Sequence, residues 1–379
     1  MGVYAFTPQD VDPLMEGLAI MGTGGGGAPA WGHAIMAHEF AVGRQPCIID
    51  LEEIDDEATV VCGGIMGSVK ILEALGPERI MAHWEEECFE LLEVTRVMEH
   101  ILGRKVDHMV PFEVGGLNTP VVLSLGARMG IPILDGDGLG RSAPETQMTS
   151  FIGHGVSLTP MPLLDFQGNV VIVDQAEDPT YPDQVGRWVV THGGGLGANN
   201  HYPMTGRKAK EAVIPNTVSG ALKLGRQVLA ARAEGRDPVQ AVATALDGAL
   251  LFNGEVVAMA ESESMGFYFT LATLAGDGAF AGQEAELTIK NETMLLAVNG
   301  EVQAIFPDLV LILEPGTARG IMSVEVEVGT PLALVGLPCH PRLRRSALSE
   351  TGARAFSPSR YGQPELEYQP IESLVEALR

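Results

Sequence analysis

Two hydropathy patterns meet near residue 248 of this 379-residue chain, and together they restrict the fold more than any single motif. Up to about residue 165, short apolar runs alternate with stretches of helical periodicity. Segments 47–51, 59–64 and 107–111 read as strands; 11–19, 29–38, 77–102 (with a break in the middle) and 120–129 read as helices. Strand, loop and helix in that order predict a mainly parallel α/β domain. Segments 163–172 and 216–246 add β and then helix, with Asn216 as the cap of the first of these helices. After Gly248 the pattern changes to short strands at 255–259, 267–270, 286–289, 309–313 and 332–335, with a hairpin signal at Asn299-Gly300. That spacing predicts a separate antiparallel β-domain, a sandwich or barrel. The expected organisation is an α/β domain from 1–165 and about 200–247, a β-domain over 249–337, and a C-terminal segment, 338–379, returning to the α/β domain.

Apolar residues make up 46% of the chain and charged ones 19%, enough for large cores and too apolar for disorder. The formal net charge of −25 repels phosphate backbones, so nucleic acid is excluded as a partner. Cys47, Cys62, Cys88 and Cys339 form no Cys-x-x-Cys pair and read as small core residues in a reducing compartment. No basic segment followed by an apolar one opens the chain, and no run approaches the ~20 apolar residues of a membrane span. The expectation is a soluble, cytoplasmic protein with no membrane partner.

The chemistry concentrates where predicted strands end. The run Asp135-Gly136-Asp137-Gly138-Leu139-Gly140-Arg141-Ser142-Ala143-Pro144-Glu145-Thr146-Gln147 packs three carboxylates and a guanidinium into one turn-rich loop. Charged groups at strand C-termini sit where open α/β sheets hold their ligands. Glu113 and Asn118 flank Gly115-Gly116 after another strand, and Met66 and Ser68 follow a third. Gly24, Gly25, Gly26 and Gly27 form a loop able to aim backbone N–H groups at an anion, but lack the Lys-Ser/Thr of a phosphate loop. A second glycine loop, 192–201, carries His192 and His201 at its ends, with a spacing that fits no zinc pattern. Ser68 lacks a nucleophile elbow. Convergence of the strand-end loops on one edge predicts an active site holding Asp135, Asp137, Glu145 and Glu113, near Gly24–Gly27.

Five stretches together resemble a known family: Gly22-Thr23-Gly24-Gly25-Gly26-Gly27, Cys62-Gly63-Gly64-Ile65-Met66-Gly67, Glu113-Val114-Gly115-Gly116-Leu117-Asn118, the Asp135–Thr149 run, and Phe306-Pro307-Asp308-Leu309. In order and nearly end to end, they are similar to a family related to S-methyl-thiohydantoin desulfurase and associated with hydantoinase/oxoprolinase subunits. The resemblance implies a hydrolase of a hydantoin-like or S-methyl-thiohydantoin-like five-membered ring. Water attacks the ring carbon bearing the thioether and methanethiol leaves. Asp137 is the expected general base, with Asp135 or Glu145 as partner. Arg141 and the glycine-loop N–H groups receive the ring, beside Asn118, Gln147, Met66 and Ser68. A divalent metal on Asp135, Asp137 and Glu145 stays open, as do a homo-oligomer and a hydantoinase-type partner protein. The competing reading is a non-catalytic accessory or assembly subunit. Ser68-Val69-Lys70-Ile71-Leu72 stands where the family pattern has Pro and then Glu-Lys, and Ser142-Ala143 where it has Ala-Phe, which implies a substrate of this chain's own.

Overall fold

The computed structural model describes residues 2–25, 27–67, 75–264 and 267–379. The chain opens with a short strand, β1 (Val3–Ala5), and a 3-10 turn locked by a capping box, in which the Thr7 N–H and hydroxyl both donate to Asp10 Oδ2 at 2.8 Å. Helix α1 (Val11–Met21) follows, and the glycine loop separates it from α2 (Pro29–Ala41). Next come β2 (Cys47–Ile49) and β3 (Thr59–Gly67). The broken helix expected over 77–102 is two helices, α3 (Pro77–Glu86) and α4 (Glu90–Leu102). Strand β4 (His108–Pro111), α5 (Asn118–Met129), β5 (Ile133–Leu134) and β6 (Gly136–Asp137) complete the alternating region.

The sheets here are mixed rather than mainly parallel. After β7 (Met161–Asp165), β8 (Val170–Val173) and α6 (Tyr181–His192), the segment read as a histidine-ended loop forms β9 (Leu196–Thr205). It lies at the centre of a five-stranded sheet ordered β4-β3-β9-β7-β8. Within that sheet β3 and β4 pair parallel, while β9 runs antiparallel to both β3 and β7. A three-stranded sheet, β1-β2-β5, has one parallel pair, β2–β5. Asn199, Asn200 and His201 interrupt the apolar signature of a central strand, which is why the sequence reads as a loop there.

Helix α7 (Gly206–Ala212) and β10 (Ile214–Pro215) lead into α8 (Thr217–Ala233), which packs on α1. Asn216 does not cap α8. It takes φ +61°, and the Asp135 carboxylate instead accepts from the Ser219 N–H at 2.9 Å. After α9 (Pro238–Ala245), the expected β-rich stretch forms one seven-stranded antiparallel sheet. Its strands are β11 (Ala249–Ser264), β12 (Phe267–Gly276), β13 (Glu284–Lys290), β14 (Glu292–Val298), β15 (Glu301–Ile305), β16 (Leu309–Leu313) and β17 (Pro331–Leu337), in the order β15-β14-β13-β12-β11-β17-β16. The β14–β15 turn has Asn299 at φ +51° and Gly300 at +81°, the primed geometry that matches strand twist. The outer strands β15 and β16 approach each other, so the sheet curls without closing.

Helix α10 (Pro341–Ala347) returns to the turn at Ile152–His154, where the Gly153 N–H donates to Ser346 Oγ at 2.9 Å. After the short α11 (Gly352–Ala355), α12 (Glu372–Leu378) packs on β11 and β17. Among the described residues no helix is long and apolar enough to cross a membrane.

Candidate active site

A cavity of about 660 Å³ opens where the curled sheet meets the α/β half. The glycine loop, the ends of β3 and β9, the loop after β4 and the start of β14 all reach it. Its wall is assembled from one polar chain of contacts. The Ile65 N–H donates to Asn118 Oδ1 at 3.2 Å; Asn118 Nδ2 donates to Glu113 Oε1 at 2.6 Å; the Ala143 N–H donates to Glu113 Oε2 at 3.0 Å. Glu113 is thus held by two donors, one on each oxygen, and burial pushes its carboxyl up to about 7 against their pull.

Opposite stands Glu292, the first residue of β14 and buried. Its Oε2 has no hydrogen-bond partner. It packs directly on the glycine loop: a Cβ at Gly25 would fall 1.8 Å from Glu292 Oε1 and would force the Glu292 side chain to move. Burial, and next the charge of Glu113, raise the Glu292 carboxyl well above the ordinary carboxylate range. His201 lines the same cavity. Burial lowers its pKa to about 3, so the imidazole is neutral, and its Nδ1 has no partner. Arg187 closes one side, held by Asp183 at 2.8 Å and lying 3.6 Å over the Phe267 ring.

The expected site residues divide sharply. Glu113, Asn118, Met66, Gly24, Gly25 and Gly27 line the cavity. Gly26 and Ser68 lie outside the described residues. Asp135, Asp137, Arg141, Glu145 and Gln147 are buried and turned elsewhere. Asp135 caps α8. Asp137 is fully buried and ties two loops together, accepting from the Val114 N–H at 2.9 Å and the Gly140 N–H at 2.8 Å; burial lifts it to about 7.

Arg141 does not line the cavity. Its guanidinium donates to backbone carbonyls, those of Ser142, Pro307, Asp308 and Thr293. Glu145 is clamped by Lys290 and Arg360 and accepts from Gln147 Nε2 at 2.8 Å. Burial pulls Glu145 up, but the Arg360 and Lys290 charges outweigh it and leave it low. The physical reason is common to all five: each meets a backbone or side-chain partner inside the protein before it can reach the cavity. Among the described residues no cluster of His, Cys, Asp and Glu could hold a metal ion, and Asp135, Asp137 and Glu145 serve three separate places.

Sequence reasoning missed Glu292, Asn199 and Arg187 and left His201 without a role. A signal existed for one of them. Lys290-Asn291-Glu292-Thr293 breaks an apolar β run between Ile289 and Met294, and a charge inside such a run calls for a partner or a cavity. His192, by contrast, stacks on the exposed Trp188 and does not line the cavity.

An α/β half and a curled antiparallel sheet enclose a cavity lined by two buried carboxyls, Glu113 and Glu292. The chain belongs to the S-Me-THD-like family: the model of its N-terminal domain matches residues 9–175 and that of its C-terminal domain residues 177–371. The boundary falls between β8 and α6, so β9, in the middle of the five-stranded sheet, comes from the second segment. The fold is also that of a protein from Chromobacterium violaceum with an X-ray crystal structure, which is 22% identical. The match has a TM-score of 0.76 and covers 97% of this chain and 100% of that one. No functionally curated protein matches the chain.

Proposed function

We propose that this protein is a hydrolase of a hydantoin-like five-membered ring carrying a thioether, with Glu113 as general base and Glu292 as general acid. Membership of the S-Me-THD-like family supports the substrate class. The observation that carries the mechanism is the pair of buried carboxyls, both with raised proton affinity, facing one cavity. Two such groups titrate as a unit, one keeping a proton while the other loses it. Glu113 takes a proton from water as its oxygen bonds to the ring carbon bearing sulfur. The carbon–sulfur bond then breaks, and Glu292 delivers its proton to the leaving methanethiolate. The Gly24–Gly25 backbone, Asn118 and the neutral His201 surround the ring, and His201 contributes no charge of its own. The hydrolase and accessory readings part here: the purified chain alone either turns over or it does not.

The test is incubation of the purified chain with S-methyl-thiohydantoin and colorimetric detection of methanethiol. Release that disappears in Glu292→Gln supports the reading. No release, with the ligand shown to bind, ends it.

A further inference from the structure

Arg187 reaches the cavity from α6, whose Arg187, Val190 and Thr191 share one helix face and all line it. The guanidinium is held from three sides. Its Nε donates to Asp183 Oδ2 at 2.8 Å, its Nη2 donates to the Pro144 carbonyl, and its Cζ lies 3.6 Å from the centre of the Phe267 ring. Asp183 is buried and is itself fixed by Thr146, whose N–H and hydroxyl donate to Oδ1 at 2.9 and 2.7 Å. The remaining nitrogen, Nη1, donates to none of the described residues. A planar guanidinium fixed in one orientation, with one edge open, is suited to gripping a carboxylate.

The charges around it leave room for a guest anion. Lys290 Nζ lies 4.0 Å from the centre of the same Phe267 ring, and both Lys290 and Arg360 pair with Glu145. Arg187, Lys290 and Arg360 thus meet two acids, Asp183 and Glu145, in their ion pairs. Among the described residues neither Glu113 nor Glu292 comes within ion-pair distance of Arg187, although all three line the cavity. At the mouth Arg319 already meets Glu325 at 2.8 Å. A cavity of about 660 Å³ lies in the ~300–1,000 Å³ range that holds drug-sized ligands, and a bare five-membered ring does not fill it.

We propose that the ring compound bound in this cavity carries a carboxylate arm and that the open edge of Arg187 grips it, which makes Arg187 the residue that sets substrate specificity. This rests on the hydantoin-like ring reading and narrows its substrate class. Arg187 meets the arm and takes no part at the reacting carbon, where Glu113 and Glu292 act. The arm supplies a third acid to the three cations. Because Asp183, Pro144 and Phe267 already fix the guanidinium, binding costs little further side-chain freedom. Thr146, which holds Asp183, also lines the cavity, so the support of Arg187 is part of the same wall.

The test is titration calorimetry of the full chain with three probes: hydantoin-5-acetic acid, its neutral amide hydantoin-5-acetamide, and unsubstituted hydantoin. The wild type should bind the acid about 10-fold or more tightly than the amide, the worth of one charge-assisted hydrogen bond. Arg187→Met should bind acid and amide alike, and Arg187→Lys should keep part of the preference, having the charge without the planar fork. Equal binding of acid and amide by the wild type, or a preference that survives in Arg187→Met, overturns the proposal. The wild-type comparison needs no variant and decides alone if Arg187→Met does not fold. The two readings fail differently. Acid, amide and hydantoin bound alike keeps the ring and removes the arm. No binding of any of the three removes the ring reading, and this proposal with it.

Discussion

The Asp135–Thr149 loop and the start of β14 invite opposite expectations. The first is crowded with acids, glycines and an arginine, and reads as a site. The second, Lys290-Asn291-Glu292-Thr293, is four residues inside an apolar strand region and draws no notice. In the folded protein the crowded loop spends its charges inward: on a helix start, on two loop backbones, on carbonyls of the β-sheet half and on a lysine–arginine clamp. Glu292 faces the cavity with an unpartnered oxygen. A dense polar motif can therefore mark where a backbone needs holding, whereas a lone carboxyl in an apolar strand marks where a cavity begins. Glu113 belongs to both regions, bonded by Ala143 of the crowded loop while lining the cavity.

The comparison is tested most strongly at Glu113. Glu113→Gln should lower turnover by roughly 10²–10⁴-fold, the range of general-base catalysis, read as initial rates of methanethiol release. It should also change how stability depends on pH. Burial lifts this carboxyl to about 7 from ~4.3 in an unfolded chain, so its contribution is fully present below about pH 4 and is lost as pH rises through about 7. The stability gap should move in favour of Glu113→Gln across that window, by up to about 3 kcal/mol, measured by denaturant unfolding at its two ends.

Glu145→Gln should be next, costing about 3–5 kcal/mol of stability because Lys290 and Arg360 lose their buried partner. Turnover per folded molecule should stay near wild type, checked by active-fraction-corrected rates. Asp137→Asn places an amide NH₂ against one of two backbone N–H donors and should cost about 1–3 kcal/mol. An Asp137→Asn chain that keeps its melting temperature yet loses turnover as Glu113→Gln does would return the crowded loop to the chemistry. Asp135→Ala should be the mildest, about 1 kcal/mol for a lost helix cap, with unchanged kinetics.

Much of the architecture was legible along the chain. The break between α3 and α4, the primed turn at Asn299-Gly300 and the β-rich stretch after Gly248 all follow local rules of propensity and periodicity. Glu113, Asn118, Met66 and the glycine loop were legible as cavity residues because they follow strand or helix ends. Strand direction was not. The pairing of β9 between β3 and β7 depends on which edges are free once α6 has turned the chain, information no local window carries.

The sequence by itself determined that this chain has alternating and β-rich regions, that Gly24, Gly25 and Gly27 lie in a loop between helices, and which family it belongs to, because those depend on residues near one another or on motifs in order. Only the tertiary structure decided which carboxylates meet. Glu113 and Glu292 are 179 positions apart, yet the fold brings both to one cavity, and Asp135 and Asp137, two positions apart, serve different partners. A side chain's role depends on what burial leaves it to bond with, and burial is a property of the packed whole.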